Sequence, residues 1–289
     1  MNQTLIWLDE PASQNLALVG GKVANLSRLA ADYPVPSGFC LTTKALALID
    51  YDADTLPVPI QEGLAAAYEK VAERCGVAKP KVAVRSSAVD EDGQAASFAG
   101  QYESYLNVVG VDKVAEAVRK CWASAHSARV QAYRRQQGES AKTIQLAVLV
   151  QQLVIADISA VVFSANPVTG NREEIVINVS WGLGESIVGG TVTPDTYVVR
   201  KSDLAIIKRQ IAEKQRMTVM LLNGTREVAI PRLMRQQPAM SDAQALEMAQ
   251  LALKLERQMG WSVDIECAYQ GEKLYLLQCR PITTLAGLA

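Results

Sequence analysis

Among 289 residues there is one histidine, His126, so a mechanism built on a histidine nucleophile, a histidine base or a histidine metal cluster within this chain has a single residue to draw on. Net charge is nearly absent as well. The 29 Lys and Arg stand against 30 Asp and Glu, for a formal charge of -1, which argues against a nucleic-acid partner gripped through a broad basic surface. No CxxC pair occurs, and the five cysteines, Cys40, Cys75, Cys121, Cys267 and Cys279, are scattered and odd in number. Neither a zinc site nor a secreted disulfide framework is indicated, and reduced thiols in a cytoplasmic protein are expected. The start, MNQTLIWLDEP, carries Asp9 and Glu10. No stretch reaches the roughly 18 uncharged apolar residues of a membrane span, so no membrane partner is expected. Internal repeats, low-complexity tracts and the phosphate-loop pattern GxxxxGK[ST] are missing too.

What remains is 49% hydrophobic, and at about 100–200 residues per domain the length suits one large domain or two lobes. Helix and strand signals alternate, which favours a mixed α and β architecture. Residues 23–31 should form a helix directly after Gly20-Gly21-Lys22, and a second helix should cover about 60–74. Val114, Val118, Cys121, Trp122, Ala125 and Tyr133 make a helical stripe over 112–137. His126, beside Trp122 in that helix, reads as a packed or half-exposed residue. Strands rich in Val and Ile are expected at 144–150, 160–163, 174–179 and 196–199. Ser241 and Gln244 form a capping box that opens a helix to about Met259. Residues 220–240 mix Gly, Pro and Arg and read as an irregular connection.

The final two strands, 263–269 and 273–279 around Gly271, carry the most local chemistry. Asp264 and Glu266 are two apart and share a face. With an odd-numbered loop, Glu266 faces Gln278 and Asp264 faces Arg280. The reverse face would then bury Val263, Ile265, Cys267, Tyr269, Tyr275 and Leu277. Two carboxylates and an amide oxygen suit Mg2+, a hard cation that completes its shell with water and phosphate, and Arg280 offers a fork for phosphate. The same pattern fits a solvated strand face with an Asp264–Arg280 ion pair worth little. Periodicity does not separate the two.

Other segments are weaker singly. Lys22, after two glycines and before a helix, suits an anion, yet alone it reads as a turn. Residues 81–87 form a strand ending in Arg85-Ser86-Ser87, whose guanidinium and hydroxyls suit an oxyanion, and the small residues of 95–101 suit a flap closing over phosphates. Trp181-Gly182-Leu183-Gly184-Glu185 and Val188-Gly189-Gly190 read as a loop, since the third glycine of a dinucleotide fingerprint is missing.

Taken together, GGKVANLSRL, VPSGFCLTT, VAVRSSAVDEDGQAASFAGQYESYLNV, CWASAHSARVQAYRR, VQQLVIADISAVVFSANPVTG, IVINVSWGLGESIVGGTVTPDTYVV and DIECAYQGEKLYLLQCRPIT resemble, in order, the N-terminal ATP-binding domain of the phosphoenolpyruvate synthase, pyruvate phosphate dikinase and rifampicin phosphotransferase family. The resemblance implies an α+β, ATP-grasp-like fold in one domain, with ATP held between two lobes placed at about 1–190 and 191–289. It implies that Lys22 and Arg85 contact ATP phosphates, that Ser97, Gly100 and Gln101 belong to the flap, and that Gln151, Gln152, Leu153 and Val154 meet adenine through the backbone. Asp264, Glu266 and Gln278 would bind Mg2+, with Arg280 on the transferring phosphate. The sequence departs from the family at Val23, Ala160 and Cys267, where Gly or Ala, Gly, and Trp are usual.

Family enzymes also carry a swivelling domain whose histidine accepts the phosphoryl group, and a domain for the small-molecule acceptor. Both lie beyond the point where this chain ends, and His126 does not match that histidine. The expectation is an ATP-binding component that transfers a phosphoryl group to a histidine on a partner chain, with AMP and phosphate released. A truncated domain of a longer enzyme, a nucleotide-binding module without turnover and a self-contained ligase making an acyl phosphate remain as alternatives.

Overall fold

The computed structural model describes residues 3–50, 55–90, 103–125 and 145–287. Helices and antiparallel sheets build two compact units, Met1–Leu153 with Leu222–Gly224, and Val154–Leu221 with Thr225–Ala289. The division falls well upstream of the boundary expected near 190. Its cause is strand pairing: the segment after Val154 supplies strands that hydrogen-bond to the C-terminal hairpin, so it belongs with that sheet.

In the first unit, β1 (Leu5–Trp7), β2 (Gly38–Leu41), β3 (Lys81–Ala88), β4 (Ser104–Val109) and β5 (Leu146–Gln152) form an antiparallel sheet in the order β1-β2-β5-β3-β4. Helices α1 (Leu16–Leu29), α2 (Thr43–Leu46), α3 (Val58–Cys75) and α4 (Val111–Ser124) complete it. On one face Phe39, Val82, Val84, Val148 and Val150 pack with Ile60, Leu64 and Val71 of α3 and with the expected stripe Val114, Val118, Cys121 and Trp122 of α4. Strand alternation supplies one half of that core and helical periodicity the other. The Trp122 indole donates to the Leu146 carbonyl at 3.2 Å, so the largest side chain of the stripe leaves no polar atom unmet. Tyr133 and His126 lie outside the described residues.

Helix α1 packs against β3 and β5. It begins seven residues earlier than expected and is broken at Gly20, whose φ of 75° and ψ of 171° lie in a region that only glycine enters at low cost. A methyl group there would stand 2.2 Å from the Ser87 carbonyl oxygen of β3. Gly20→Ala is therefore expected to cost about 2–4 kcal/mol in urea titration, combining strain and collision. Gly63→Ala serves as the control: it meets open space in α3 and should be neutral or stabilising by up to about 1 kcal/mol. Equal tolerance of both changes would sink the close approach of α1 to β3.

The second unit contains β6 (Ile158–Phe163), β7 (Glu174–Trp181), β8 (Asp195–Arg200), β9 (Ile206–Gln210), β10 (Arg216–Met220), β11 (Thr225–Ala229), β12 (Val263–Gln270) and β13 (Lys273–Pro281), with helices α5 (Glu185–Val188) and α6 (Asp242–Met259). Six strands form an antiparallel sheet in the order β13-β12-β6-β7-β8-β9, and β10 and β11 pair separately. The supposed irregular connection at 220–240 thus holds part of a hairpin. Its strands are short, Arg-bearing and mostly half-buried, with no run of Val and Ile to betray a strand. Helix α6 opens with the expected reciprocal capping of Ser241 and Gln244. It lies on the face carrying Ile177, Tyr197 and Tyr269: its Met248, Ala249, Ala252 and Leu255 are buried, and the Tyr269 hydroxyl donates to Glu247 at 2.5 Å. Residues that alternate with these point to the opposite face. None of the helices among the described residues is long and apolar enough to cross a membrane.

Candidate functional site

The pairings expected in the final hairpin are present: Asp264 stands opposite Arg280 and Glu266 opposite Gln278. They arise differently from the expected odd-numbered loop. Gln270 pairs with Lys273 across a two-residue turn, Gly271 and Glu272, and the register shifts by one between Glu266 and Cys267, leaving Leu277 as an extra residue. This β-bulge restores the pairing that the turn alone would have displaced. It also corrects the reverse face, where Leu274 and Leu276 are buried in place of the expected Tyr275 and Leu277, both of which are only half-buried.

The four polar side chains lie on the face opposite α6. Asp264 and Gln278 are buried, whereas Glu266 and Arg280 are half-buried. Arg280 Nε and its terminal amine each approach Asp264 Oδ2 at 2.8 Å. Asp264 Oδ1 is buried and accepts no hydrogen bond from any of the described residues. Burial pushes the Asp264 carboxyl up to about 6, against the pull of Arg280 and with a further push from the Glu266 charge. A buried carboxylate oxygen without a donor is costly unless something positive meets it. Oxygen donors from Asp264, Glu266 and Gln278 are the donor set that Mg2+ takes, so these residues fit the cation that the resemblance implies.

In the first unit, Lys22 is buried and donates to the Ser86 carbonyl oxygen at 2.8 Å. The helix restarts after Gly20, and the Val23 amide donates to the Ser87 hydroxyl at 3.3 Å, so a side chain from β3 covers one of the orphan N–H groups of that helix end. Ser86 donates its own hydroxyl to the Glu103 carbonyl at 3.1 Å. Both serines are buried. The Ser86 hydroxyl is thereby committed to the chain just before β4, while Ser87 meets α1 through its oxygen lone pair. Arg85, between them and Val84, is half-buried.

The stretch 151–154 runs from the end of β5 across the division between the units. Gln152 N–H donates to the Ser37 carbonyl at 2.8 Å and Leu153 N–H to the Lys81 carbonyl at 2.9 Å, while the Gln151 amide donates to the Pro36 carbonyl at 3.1 Å. Donation from the 152 and 153 amides to an adenine ring is therefore precluded in this conformation; no bond from the Val154 N–H is found among the described residues. Ser97, Gly100 and Gln101 lie outside the described residues.

The sequence marks Gly182–Gly184 as a loop but does not say where it packs. The Gly182 carbonyl accepts from the Ser159 hydroxyl at 2.7 Å, and Leu183 N–H donates to the Thr218 carbonyl at 2.9 Å. A side chain at position 182 would meet that Thr218 oxygen at 2.4 Å. The loop is thus pinned over the β6–β7 end of the sheet face that carries Asp264 and Glu266, and its repeated glycines were the available signal.

An antiparallel sheet with a helix on one face and carboxylate and amide oxygens beside an arginine on the other has the chemistry to meet a polyphosphate with a cation, in an α+β domain. The pyruvate phosphate dikinase AMP/ATP-binding domain model matches residues 47–287, and the chain belongs to that family. It is 38% identical to a probable phosphoenolpyruvate synthase of Methanocaldococcus jannaschii, over 97% of this chain and 27% of that protein. It is 35% identical to the phosphoenolpyruvate synthase of Pyrococcus furiosus, over 96% of this chain and 44% of the relative. A rifampicin phosphotransferase of Streptomyces sviceus is 36% identical over 96% of this chain and 36% of its own length. The chain thus spans less than half the length of these relatives.

Proposed function

We propose that this chain is the ATP-binding component of a dikinase-type phosphotransferase. It binds Mg-ATP and passes a phosphoryl group to a histidine on a separate partner chain, which serves a small-molecule acceptor in the cytoplasm. Bound Mg-ATP would supply the phosphoryl group: one phosphoanhydride bond breaks as the histidine nitrogen bonds to phosphorus with AMP leaving, and the other is hydrolysed by one water molecule, which leaves with the terminal phosphoryl group as phosphate. The observation that carries this reading is the orphaned Asp264 oxygen beside Arg280, Glu266 and Gln278 on one sheet face. Phosphoryl transfer is mostly positioning and charge neutralisation, and these residues provide for both. Asp264, Glu266 and Gln278 hold the cation. Arg280 steers the transferring phosphate, and its contact with Asp264 fixes the fork in advance. Lys22 and Arg85 neutralise phosphate charge, and Ser97, Gly100 and Gln101 close over it. Gln151, Gln152, Leu153 and Val154 form the adenine edge, through carbonyls and the Val154 amide given the commitments of the 152 and 153 N–H groups. The ATP-grasp-like arrangement, with ATP between two lobes, is part of the same proposal and is supported by the family membership.

The test mixes the chain with a purified phosphohistidine domain from a related enzyme and ATP labelled separately in its β and γ phosphates. Label on the histidine together with AMP is the expected outcome. ADP as the nucleotide product would instead support a ligase that makes an acyl phosphate. Binding of ATP without any turnover would support a sensing module.

A further inference from the structure

We infer that Asn178 contacts the nucleotide, donating a hydrogen bond from its side-chain amide to an oxygen of the bound molecule. This rests on the nucleotide-binding reading above and adds a residue that the hairpin does not contain.

The registers of four neighbouring strand pairs set Gln278, Glu266, Val161, Asn178 and Thr196 opposite one another in succession. Directly opposed residues of an antiparallel sheet share a face, so these five side chains form one transverse row on the face away from α6. Two strand spacings place Asn178 about 10 Å from Glu266, less than the length of an extended nucleoside triphosphate. Between them stands Val161, which is half-buried and offers no hydrogen-bonding group. To one side, the row containing Ser159 and Ser180 is covered by the Gly182–Gly184 segment. Asn178 therefore sits on the open part of the floor, beside that wall.

Asparagine is an unexpected residue here. Its neighbours in β7 are Ile175, Val176, Ile177 and Val179, the apolar run of a central strand, where asparagine is disfavoured. The Thr196 hydroxyl donates to Asn178 Oδ1 at 2.9 Å. That bond satisfies the oxygen and fixes the amide plane, so that the two N–H groups of Nδ2 face away from Thr196. No described residue accepts from them. A donor held in orientation, uncharged, and in line with the proposed cation ligands is suited to a phosphate or ribose oxygen, both of which the nucleotide carries.

Isothermal titration of the whole chain with Mg-ATP, Mg-ADP and AMP tests this, using wild type, Asn178→Ala, Asn178→Asp and Thr196→Val. Asn178→Ala should weaken Mg-ATP binding about tenfold at an unchanged melting temperature. Asn178→Asp keeps the acceptor for Thr196 but replaces the donor with a negative charge, and should weaken binding further. A purely structural asparagine would tolerate that change. Thr196→Val lets the amide turn and should give a smaller loss in the same direction. An equal loss for AMP and ATP would place the contact at the ribose or α-phosphate, and a loss for ATP alone at the outer phosphates; either supports the inference. Wild-type affinity in Asn178→Asp, with binding still lost in Glu266→Ala, overturns it while sparing the nucleotide-binding reading. A wild-type chain that binds no nucleotide overturns both.

Discussion

Glu266→Ala should lower phosphoryl transfer to the partner histidine on the order of 10²–10³-fold, the scale of losing one group that meets developing charge. The fold should barely notice. Glu266 is half-buried on the outer row of the hairpin, and its charge is one of the forces raising the Asp264 carboxyl. Removing it relieves repulsion between two carboxylates, which offsets lost contacts, so the melting temperature should stay within a few degrees of wild type, a change of under about 1 kcal/mol. Lys22→Ala and Arg85→Ala are expected to abolish transfer as well. Lys22→Ala should carry a larger stability cost, because the buried ammonium also holds the Ser86 carbonyl. Transfer at wild-type rate in Glu266→Ala would remove the hairpin from the chemistry. Unfolding of all three variants would make these residues structural.

The largest expected effect on stability lies away from the hairpin. Lys214 and Asp195 are wholly buried and paired at 2.5 Å. Asp195 also accepts from the Ala212 amide at 2.9 Å and the Ala239 amide at 2.8 Å, while Lys214 donates to the Ala212 carbonyl at 3.2 Å. One carboxylate thus ties β8 to the segments that flank the β10–β11 hairpin. Lys214→Met leaves that carboxylate buried without its counter-charge and should cost about 3–5 kcal/mol in urea titration. The double variant Lys214→Met, Asp195→Asn should recover part of the loss, because a neutral amide does not need the cation. A cost below about 1 kcal/mol for Lys214→Met would mean that water reaches the pair.

That ion pair also marks a limit of reading the sequence. Nothing about Lys214, in a polar stretch between two strands, signals complete burial, because its partner Asp195 in β8 is 19 residues away and the pairing depends on how the segment before β10 returns to β8. Local signals fared better. The α4 stripe, the Ser241–Gln244 capping box and the strands of the second sheet follow from periodicity and hydrogen-bonding chemistry within a few residues. The hairpin lies between these cases. Its pairings were legible, but the Leu277 bulge was not, since a bulge leaves no composition signal and shows itself only in which of Leu274, Tyr275, Leu276 and Leu277 are buried. The serines beside Arg85 were legible as hydroxyls but not as bonds to Val23 and Glu103, because those bonds are tertiary. The division at Leu153 was hidden for the same reason: the strands after it pair with residues about a hundred positions later.

The most direct measurement is nucleotide binding by the whole chain with and without Mg2+, repeated in Glu266→Ala and Arg280→Ala. If the Asp264, Glu266, Gln278 and Arg280 face holds Mg-ATP, chelating the cation should weaken wild-type binding at least about tenfold, a loss of about 1.4 kcal/mol. Glu266→Ala should lose most of that Mg2+ dependence, and Arg280→Ala should weaken ATP binding more than AMP binding. Wild-type affinity and full Mg2+ dependence in both variants would place the nucleotide elsewhere.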